Sequence, residues 1–262
     1  MQIRRRRHYV LDCLDSLLYK LWFNLWFESM DKAASSLIRL EHEQTSITKI
    51  AFTFFFFGIL SILTMPIGVT FYLLWFLLFR KIFRSSPYKL SINHLLNNEL
   101  SELRAEKNFE ILSMNVCLLP EAASKINNLN QTKSRANLIG TFLTLTSDKI
   151  QVNQKVTENN IRIVHDLVES NSDFDFVCLQ EVWSIEMGKR LCEKMHKKYK
   201  FVVYDVENNT FNLNKCIGLG SGLFLASKFP IVAIDFKQFT QKTGMCSWAG
   251  KGLLICKVKF GI

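Results

Sequence analysis

The sequence predicts an α+β protein in which a layered, sheet-containing domain follows N-terminal membrane-embedded helices. Residues 51–79 contain no charge, which is typical of a membrane segment and rare in a soluble core helix. After residue 108, helical periodicity first alternates with strand-like runs, and strand-like runs then follow one another. This order of elements indicates helices layered on a sheet.

Composition sets limits on partners and compartment. The 262 residues carry a net charge of +10, and residues 1–108 and 109–262 share it evenly, with 14 basic against 9 acidic residues and 19 against 14. This even division argues against a concentrated nucleic-acid patch and fits a chain whose two parts both meet anionic surfaces. The seven cysteines are scattered, with no CxxC, which predicts free thiols in a reducing compartment.

The segment 9–27 predicts an amphipathic helix. Apolar residues recur along one helical face, with Trp22 and Trp26 among them, and polar residues largely occupy the other face. Such a helix lies in the membrane interface, and Arg4–Arg7 before it would be attracted to an anionic phospholipid membrane. Packing of this helix on the rest of the protein is the alternative.

The uncharged run 51–79 is divided by Pro66 and Gly68. Each part is short for a full crossing, and basic residues flank both ends, so we expect a re-entrant hairpin with both ends in the cytosol. A tilted, proline-kinked single span is the alternative. These features define a membrane-association region over residues 1–84 and a polar connector over 85–108.

The domain from 109 to 262 contains the remaining elements. Strands are expected at 109–114, 174–179, 200–205, 222–227, 231–239 and 251–260, and helices at 132–146, around 161–168 and at 186–198. Asn115 follows the first of these strands, and Glu181 follows the second. Because a buried carboxylate at a strand end is costly without a positive partner, a hard divalent cation held by these oxygens is one interpretation. A solvated turn residue is the other.

Several segments also resemble a known family. They are "SMNVCLLPEAASKINNLNQTKSRANLIG" at 113–140, "FDFVCLQEVW" at 174–183, "YDVENN" at 204–209, "GSGLFLASKFPI" at 220–231 and "GKGLLICKV" at 250–258. In this order they resemble the membrane-anchored neutral sphingomyelinases of the endonuclease/exonuclease/phosphatase superfamily. The resemblance implies a two-sheet α/β sandwich, of which this chain would form a part.

The resemblance also implies a function and its residues. It implies Mg²⁺-dependent hydrolysis of sphingomyelin to ceramide and phosphocholine, with Asn115 and Glu181 as catalytic metal ligands and Lys251 near the substrate. The family's lysine is reached by an aspartate five residues earlier, where this chain has Cys246. The catalytic domain would face the cytosol at the plasma membrane or Golgi, without nucleic acid as a partner; a homo-oligomer is compatible with the sequence.

Two motifs that the resemblance implies are not found. No histidine follows Ser-Asp, and no Asp-x-Asn occurs, although the family's reaction needs a general base and further phosphate contacts. We therefore expect the chain to be the N-terminal part of the enzyme, with the C-terminal part missing and little activity. A non-catalytic membrane-anchored isoform or fragment is the alternative, and a nuclease of the same superfamily is a third.

Overall fold

A computed structural model describes residues 11, 13–21, 23–38, 44–78, 86–96, 108–144, 173–206, 220–241 and 249–260. The chain forms two compact units. The first unit comprises Met1–Ser86, Pro120–Gln131 and Asn209–Phe211, and the second comprises Pro87–Leu119, Thr132–Asn208 and Asn212–Ile262. The helix predicted around 161–168, Arg4–Arg7 and Cys246 lie outside the described residues.

The first unit is helical. Residues 13–21 are helical and are followed by a π-helical segment, Phe23–Phe27, and by helix α1, Glu28–Leu37. Helix α2 spans Ile47–Leu74, and helix α3 spans Glu121–Ile126.

Helix α2 is continuous through Pro66. The prediction that Pro66 and Gly68 divide the run into a hairpin is therefore wrong for this structure, which has the single-helix alternative. With its π-helical extension the element covers Ile47–Leu78 and contains an 18-residue window of mean hydropathy 2.2, so it is long and apolar enough to cross a membrane. Neighbouring side-chain hydroxyls help an intramembrane helix to tolerate proline, and Thr64 and Thr70 each donate to a carbonyl one turn earlier at 2.8 Å.

The segment predicted to lie in the membrane interface packs on α2. The indole Nε1 of Trp75 donates to Asp15 Oδ1 at 2.7 Å, and Trp26 lies so close to Gly68 that a Cβ there would clash with it. Within this unit Asp15 on the polar face of the segment thus has a partner, and the place of 9–27 in the membrane interface stays a prediction.

Asp31 of α1 caps helix α3. Its carboxylate accepts the backbone N–H groups of Glu121 and Ala122 at 2.7 and 2.9 Å, which satisfies two donors that the first helical turn leaves open. Burial raises the pKa of Asp31, against the lowering effect of these two hydrogen bonds.

The second unit is built on a five-stranded sheet of order β1-β4-β5-β3-β2. Only the β2–β3 pair is parallel among the described strands. The strands are β1 Lys89–Ile92, β2 Ile111–Leu118, β3 Phe176–Val182, β4 Phe201–Tyr204 and β5 Gly222–Ser227. Strands β6 (Ile231–Gln238) and β7 (Gly252–Val258) form a separate antiparallel pair.

Both faces of the five-stranded sheet are covered. Val177 and Leu179 of β3 pack in one apolar cluster with Leu191 of helix α5 (Ile185–Met195) and Ala136 of helix α4 (Thr132–Phe142). On the opposite face, Cys178 joins a second cluster that includes residues of β6 and β7. Burial on both sides explains why these strands read as uninterrupted apolar runs.

The predicted α+β class with two sheets is confirmed. Helix α5 begins with Ser184, whose hydroxyl accepts the N–H of Met187 at 3.1 Å. One strand was not predicted: β1 lies inside the segment interpreted as a connector, and it pairs with β4 at the edge of the sheet. Its four residues are too few for alternation to identify them in a polar segment.

Candidate active site

Two neighbouring bulges shape the end of the parallel strand pair. Between the pairs Asn115–Gln180 and Leu118–Val182, β2 contains one residue more than β3. Between the pairs Leu179–Phe224 and Val182–Gly222, β3 in turn contains one residue more than β5. Bulges of this kind bend strands and redirect side chains beside active sites.

The extra residues adopt left-handed backbone conformations. Cys117 in β2 has φ 46°, and Glu181 in β3 has φ 62°. Non-glycine residues rarely adopt such angles and often do so at functional sites. Gly222, which pairs beside Glu181, has φ 76°, and a Cβ there would lie 3.3 Å from Glu181 Cα. Only glycine fits between these backbones without strain.

The bulges bring two of the predicted site residues to a shared neighbour, Cys117. Asn115 Oδ1 accepts the N–H of Cys117 at 3.0 Å, and the Glu181 carboxylate lies close enough to the Cys117 thiol for its charge to act on it. Burial raises the pKa of this thiol, and the negative charge of Glu181 raises it further. Asn115 retains a second lone pair on its amide oxygen.

Asn115 and Glu181 were both predicted to follow their strands. Both instead lie inside them, since β2 continues to Leu118 and β3 to Val182. A bulge keeps a strand paired on either side of an irregular residue, so the loss of alternation at these positions was interpreted as a strand end.

A buried arginine supports the β2 bulge. Arg135 of α4 is 8% exposed, and its guanidinium donates to the carbonyls of Val116 and Cys117 at 3.5 and 3.1 Å and to Thr132 Oγ1 at 3.2 Å. The positive charge of Arg135 also acts on the Cys117 thiol, whose pKa it lowers. These contacts fix the backbone that follows Asn115.

Lys251 lies close to the residues that follow Glu181. Its Nζ is 5.5 Å from the centroid of the Trp183 ring. Two backbone hydrogen bonds link these segments: Gly220 N–H donates to the Trp183 carbonyl at 3.1 Å, and Gly250 N–H donates to the Gly220 carbonyl at 2.9 Å. The structure thus places all three predicted site residues in the same part of the second unit.

The donor set fits Mg²⁺. This ion takes oxygen ligands, keeps several waters and is typically held by one or two carboxylates together with substrate phosphate. Glu181 and Asn115 would supply a carboxylate and an amide oxygen. Over the described part of the chain, no group of three or more His, Cys, Asp or Glu side chains is placed to hold a metal. The metal-binding roles of the two residues remain predictions.

Sequence reasoning assigned no role to four residues of this site: Cys117, Arg135, Trp183 and Gly222. The sequence patterns that could have identified these residues were present but weak. Arg135 stands among polar residues at the start of a predicted helix, and Gly222 ends a Gly-Ser-Gly triplet where a predicted strand begins. Such patterns occur often in proteins and do not identify a site without its tertiary contacts.

Relatives of this chain include sphingomyelin phosphodiesterases. It is 33% identical to sphingomyelin phosphodiesterase 5 of Mus musculus over 161 residues, which cover 59% of this chain and 33% of that protein. It is 26% identical to sphingomyelin phosphodiesterase 5 of Danio rerio over 95% of this chain and 56% of that protein. The chain therefore spans between a third and somewhat over half of these relatives. They confirm the resemblance that the sequence motifs indicated, although no family model matches the chain.

Among solved structures, a crystal structure of beta toxin from Staphylococcus aureus with bound magnesium ions is similar to this chain. The identity is 17%, the TM-score is 0.38, and the similarity covers 57% of this chain and 44% of the toxin.

Proposed function

We propose that this chain acts in Mg²⁺-dependent hydrolysis of sphingomyelin to ceramide and phosphocholine at a membrane surface. Its relatives named sphingomyelin phosphodiesterase 5 support the substrate and the reaction class. The observation that carries the proposal is the convergence of Asn115 and Glu181 on Cys117 at adjacent bulges. A carboxylate and an amide oxygen on neighbouring strands are ligands of the kind that Mg²⁺ takes, which supports the proposal.

Each residue has a defined task in this proposal. The Glu181 carboxylate and the Asn115 amide oxygen hold Mg²⁺, and the thiol of Cys117 lies beside the carboxylate. Bound Mg²⁺ supplies a Lewis acid for the phosphoryl oxygens. The ammonium of Lys251 carries a positive charge that would attract the phosphate of the lipid.

Membrane association is part of the proposal. Helix α2 is apolar and long enough to cross a bilayer, and the net charge of +10 favours anionic phospholipid over nucleic acid because the charge is spread along the chain. The catalytic domain would face the cytosol at the plasma membrane or Golgi. A homo-oligomer is compatible with this arrangement.

Metal binding tests the role of Glu181 directly. Titration of the purified chain with Mn²⁺, followed by electron paramagnetic resonance, reports occupation of a Mg²⁺-type site. Loss of an outer-shell partner already lowers metal affinity roughly 10- to 100-fold, so Glu181→Ala should lower it by at least about tenfold. Glu193→Ala, an exposed carboxylate on α5, is the control and should bind Mn²⁺ like the wild type. Equal affinity of Glu181→Ala and wild type would remove the assigned role.

A non-catalytic membrane-anchored protein is the second candidate. His196 lies at the end of α5 and contacts Ser91 Oγ at 2.7 Å and the Tyr199 carbonyl at 3.1 Å. These contacts favour the second candidate because they give this histidine a structural role rather than that of a general base. Loss of a general base typically costs about 10²- to 10⁴-fold in rate, so we expect this chain to release phosphocholine from sphingomyelin vesicles only slowly. Vesicle binding without any Mg²⁺-dependent release would favour the second candidate.

A further inference from the structure

Trp183 is buried beside the site, and the proposed reaction gives it no task. Its side chain is 7% exposed, and its Nε1–H is buried with no hydrogen-bond partner among the residues that the structure describes. A buried tryptophan usually satisfies its N–H. The indole here is placed so that its ring face, rather than its donor, makes the polar contact, and that contact is with Lys251 Nζ at 5.5 Å.

The ring is held firmly. A Cβ built on Gly222 would lie 3.4 Å from Trp183 Cδ2 and 3.3 Å from Glu181 Cα, so the same glycine packs against the indole and against the backbone of Glu181. The Trp183 carbonyl is fixed by Gly220 N–H, and Gly220 is fixed in turn by Gly250 N–H, next to Lys251. These backbone hydrogen bonds thus join the segment that contains Trp183 to the segment that contains Lys251.

Lysine needs such an anchor more than most residues. Its ammonium is a point charge on a flexible four-carbon stem, and holding it in one place costs side-chain entropy. In the described part of the chain no ion pair between Lys251 and a carboxylate is found. An aromatic face within about 6 Å attracts a cation through its quadrupole, and does so more strongly where water is excluded.

We infer that Trp183 is a positioning residue whose indole face holds the Lys251 ammonium near Glu181, where a lipid phosphate would bind. The inference rests on the proposed function for the identity of the phosphate. The contact between ring and lysine can be tested separately from that function. Removal of the ring should release the ammonium, whereas a smaller aromatic ring should keep it.

The experiment compares acetylation rates of single lysines in the full chain by mass spectrometry. Trp183→Leu removes the ring and should raise the rate at Lys251 by about threefold or more, since cation–π contacts are of this size. Trp183→Phe keeps an aromatic face and should stay close to the wild type. Lys257, exposed on the same strand pair, is the internal control and should react equally in all variants. An unchanged Lys251 rate in a folded Trp183→Leu variant would overturn the inference.

A second measurement covers the case in which Trp183→Leu does not fold. In the wild type, lysines reductively methylated with ¹³C give one resonance each, and the Lys251 signal is assigned by its loss in Lys251→Arg. Ring currents should shift it upfield of the Lys257 signal, and coincidence of the two signals would overturn the inference. Sphingomyelin vesicles with Mg²⁺ should slow acetylation of Lys251. Failure of that protection alone, with the upfield shift present, would refute the proposed substrate and leave the positioning role intact.

Discussion

At the residue scale, the site depends on backbone angles that side chains disfavour. Cys117 and Glu181 both have positive φ, and each such non-glycine residue costs on the order of 1–3 kcal/mol. The surrounding hydrogen bonds outweigh this cost: Arg135 holds the β2 bulge, and the close approach of Gly222 defines the β3 bulge. The strain is therefore borne by Glu181, which is proposed to hold the metal, and by its neighbour Cys117.

Gly222→Ala should disturb the site most directly. The new Cβ would lie 3.3 Å from Glu181 Cα at φ +76°, so we expect a loss of roughly 1–3 kcal/mol in the free energy of unfolding and weaker Mn²⁺ binding. Urea denaturation and the Mn²⁺ titration measure the two effects. Gly58→Ala is the control, because a Cβ there meets no atom within 4 Å. Equal behaviour of the two variants would contradict this account of the bulge.

The stability of the second unit should depend on pH through Asp173. Burial opposes ionisation of this carboxylate, but hydrogen bonds and charges from Lys228 and Lys198, at 2.7 and 2.9 Å, outweigh burial and lower its pKa. Its folded-state pKa is then below the unfolded value, so the stabilisation is present above about pH 5 and is lost as the pH falls below about 4.

This pH dependence can be measured by comparing the wild type with Asp173→Asn. Thermal unfolding between pH 6 and pH 3.5 should show a smaller loss of stability in the variant, because the variant has no carboxylate to protonate. Asp235→Asn is the matched control, since Asp235 is an exposed carboxylate paired with Lys237 at 3.2 Å. A wild type and an Asp173→Asn variant with parallel pH profiles would refute the assigned role.

At the scale of elements, hydrophobicity predicted helix α2 but not its continuity. Pro66 lacks an N–H and commonly interrupts helices in water. In an apolar helix the remaining backbone groups have no water to bond, so the helix persists and side-chain hydroxyls assist it. The hairpin prediction assumed that Pro66 interrupts the helix and did not consider that backbone groups in an apolar environment must keep their hydrogen bonds.

A charge in the middle of α2 should prevent stable membrane association. Leu63 is 68% exposed in the structure, on the surface that would face lipid. Lysine near the centre of a membrane helix costs about 2.5–3.5 kcal/mol on insertion scales, so Leu63→Lys should shift the protein from the carbonate-resistant membrane fraction towards the soluble one. Leu63→Met should remain in the membrane fraction. Resistance of both variants to carbonate would argue against insertion of α2.

At the scale of the whole molecule, charge and apolar surface should act together. The net charge of +10 is divided evenly along the chain, and basic residues near an anionic membrane contribute about 1 kcal/mol each at low salt. We expect initial binding to phosphatidylserine-containing vesicles to weaken severalfold between 0.1 and 0.5 M NaCl, because the Debye length falls below about 10 Å.

Vesicle co-sedimentation measures this dependence, with neutral phosphatidylcholine vesicles as the control. Binding to neutral vesicles should change little with salt, because burial of α2 does not depend on charge. Equal salt dependence on both vesicle types would show that the basic residues take no part in binding.

The sequence by itself determined the α+β class, the apolar segment, four of the seven strands to within two residues at each end, and the family resemblance. Periodicity and the length of an uncharged run are local properties of a sequence, and the order of motifs can be followed along the chain. All of these can therefore be recognised without knowledge of the fold. Asn115 and Glu181 were also identified in this way, through the segments in which they occur.

Only the tertiary structure decided how the site is built. The bulges at Cys117 and Glu181 arise from register shifts between strands that are distant in sequence. The contacts of Arg135 with the β2 carbonyls and of Lys251 with Trp183 likewise join separate elements. Such contacts depend on which backbones lie side by side, and that is fixed by packing of the whole sheet rather than by any local pattern of residues.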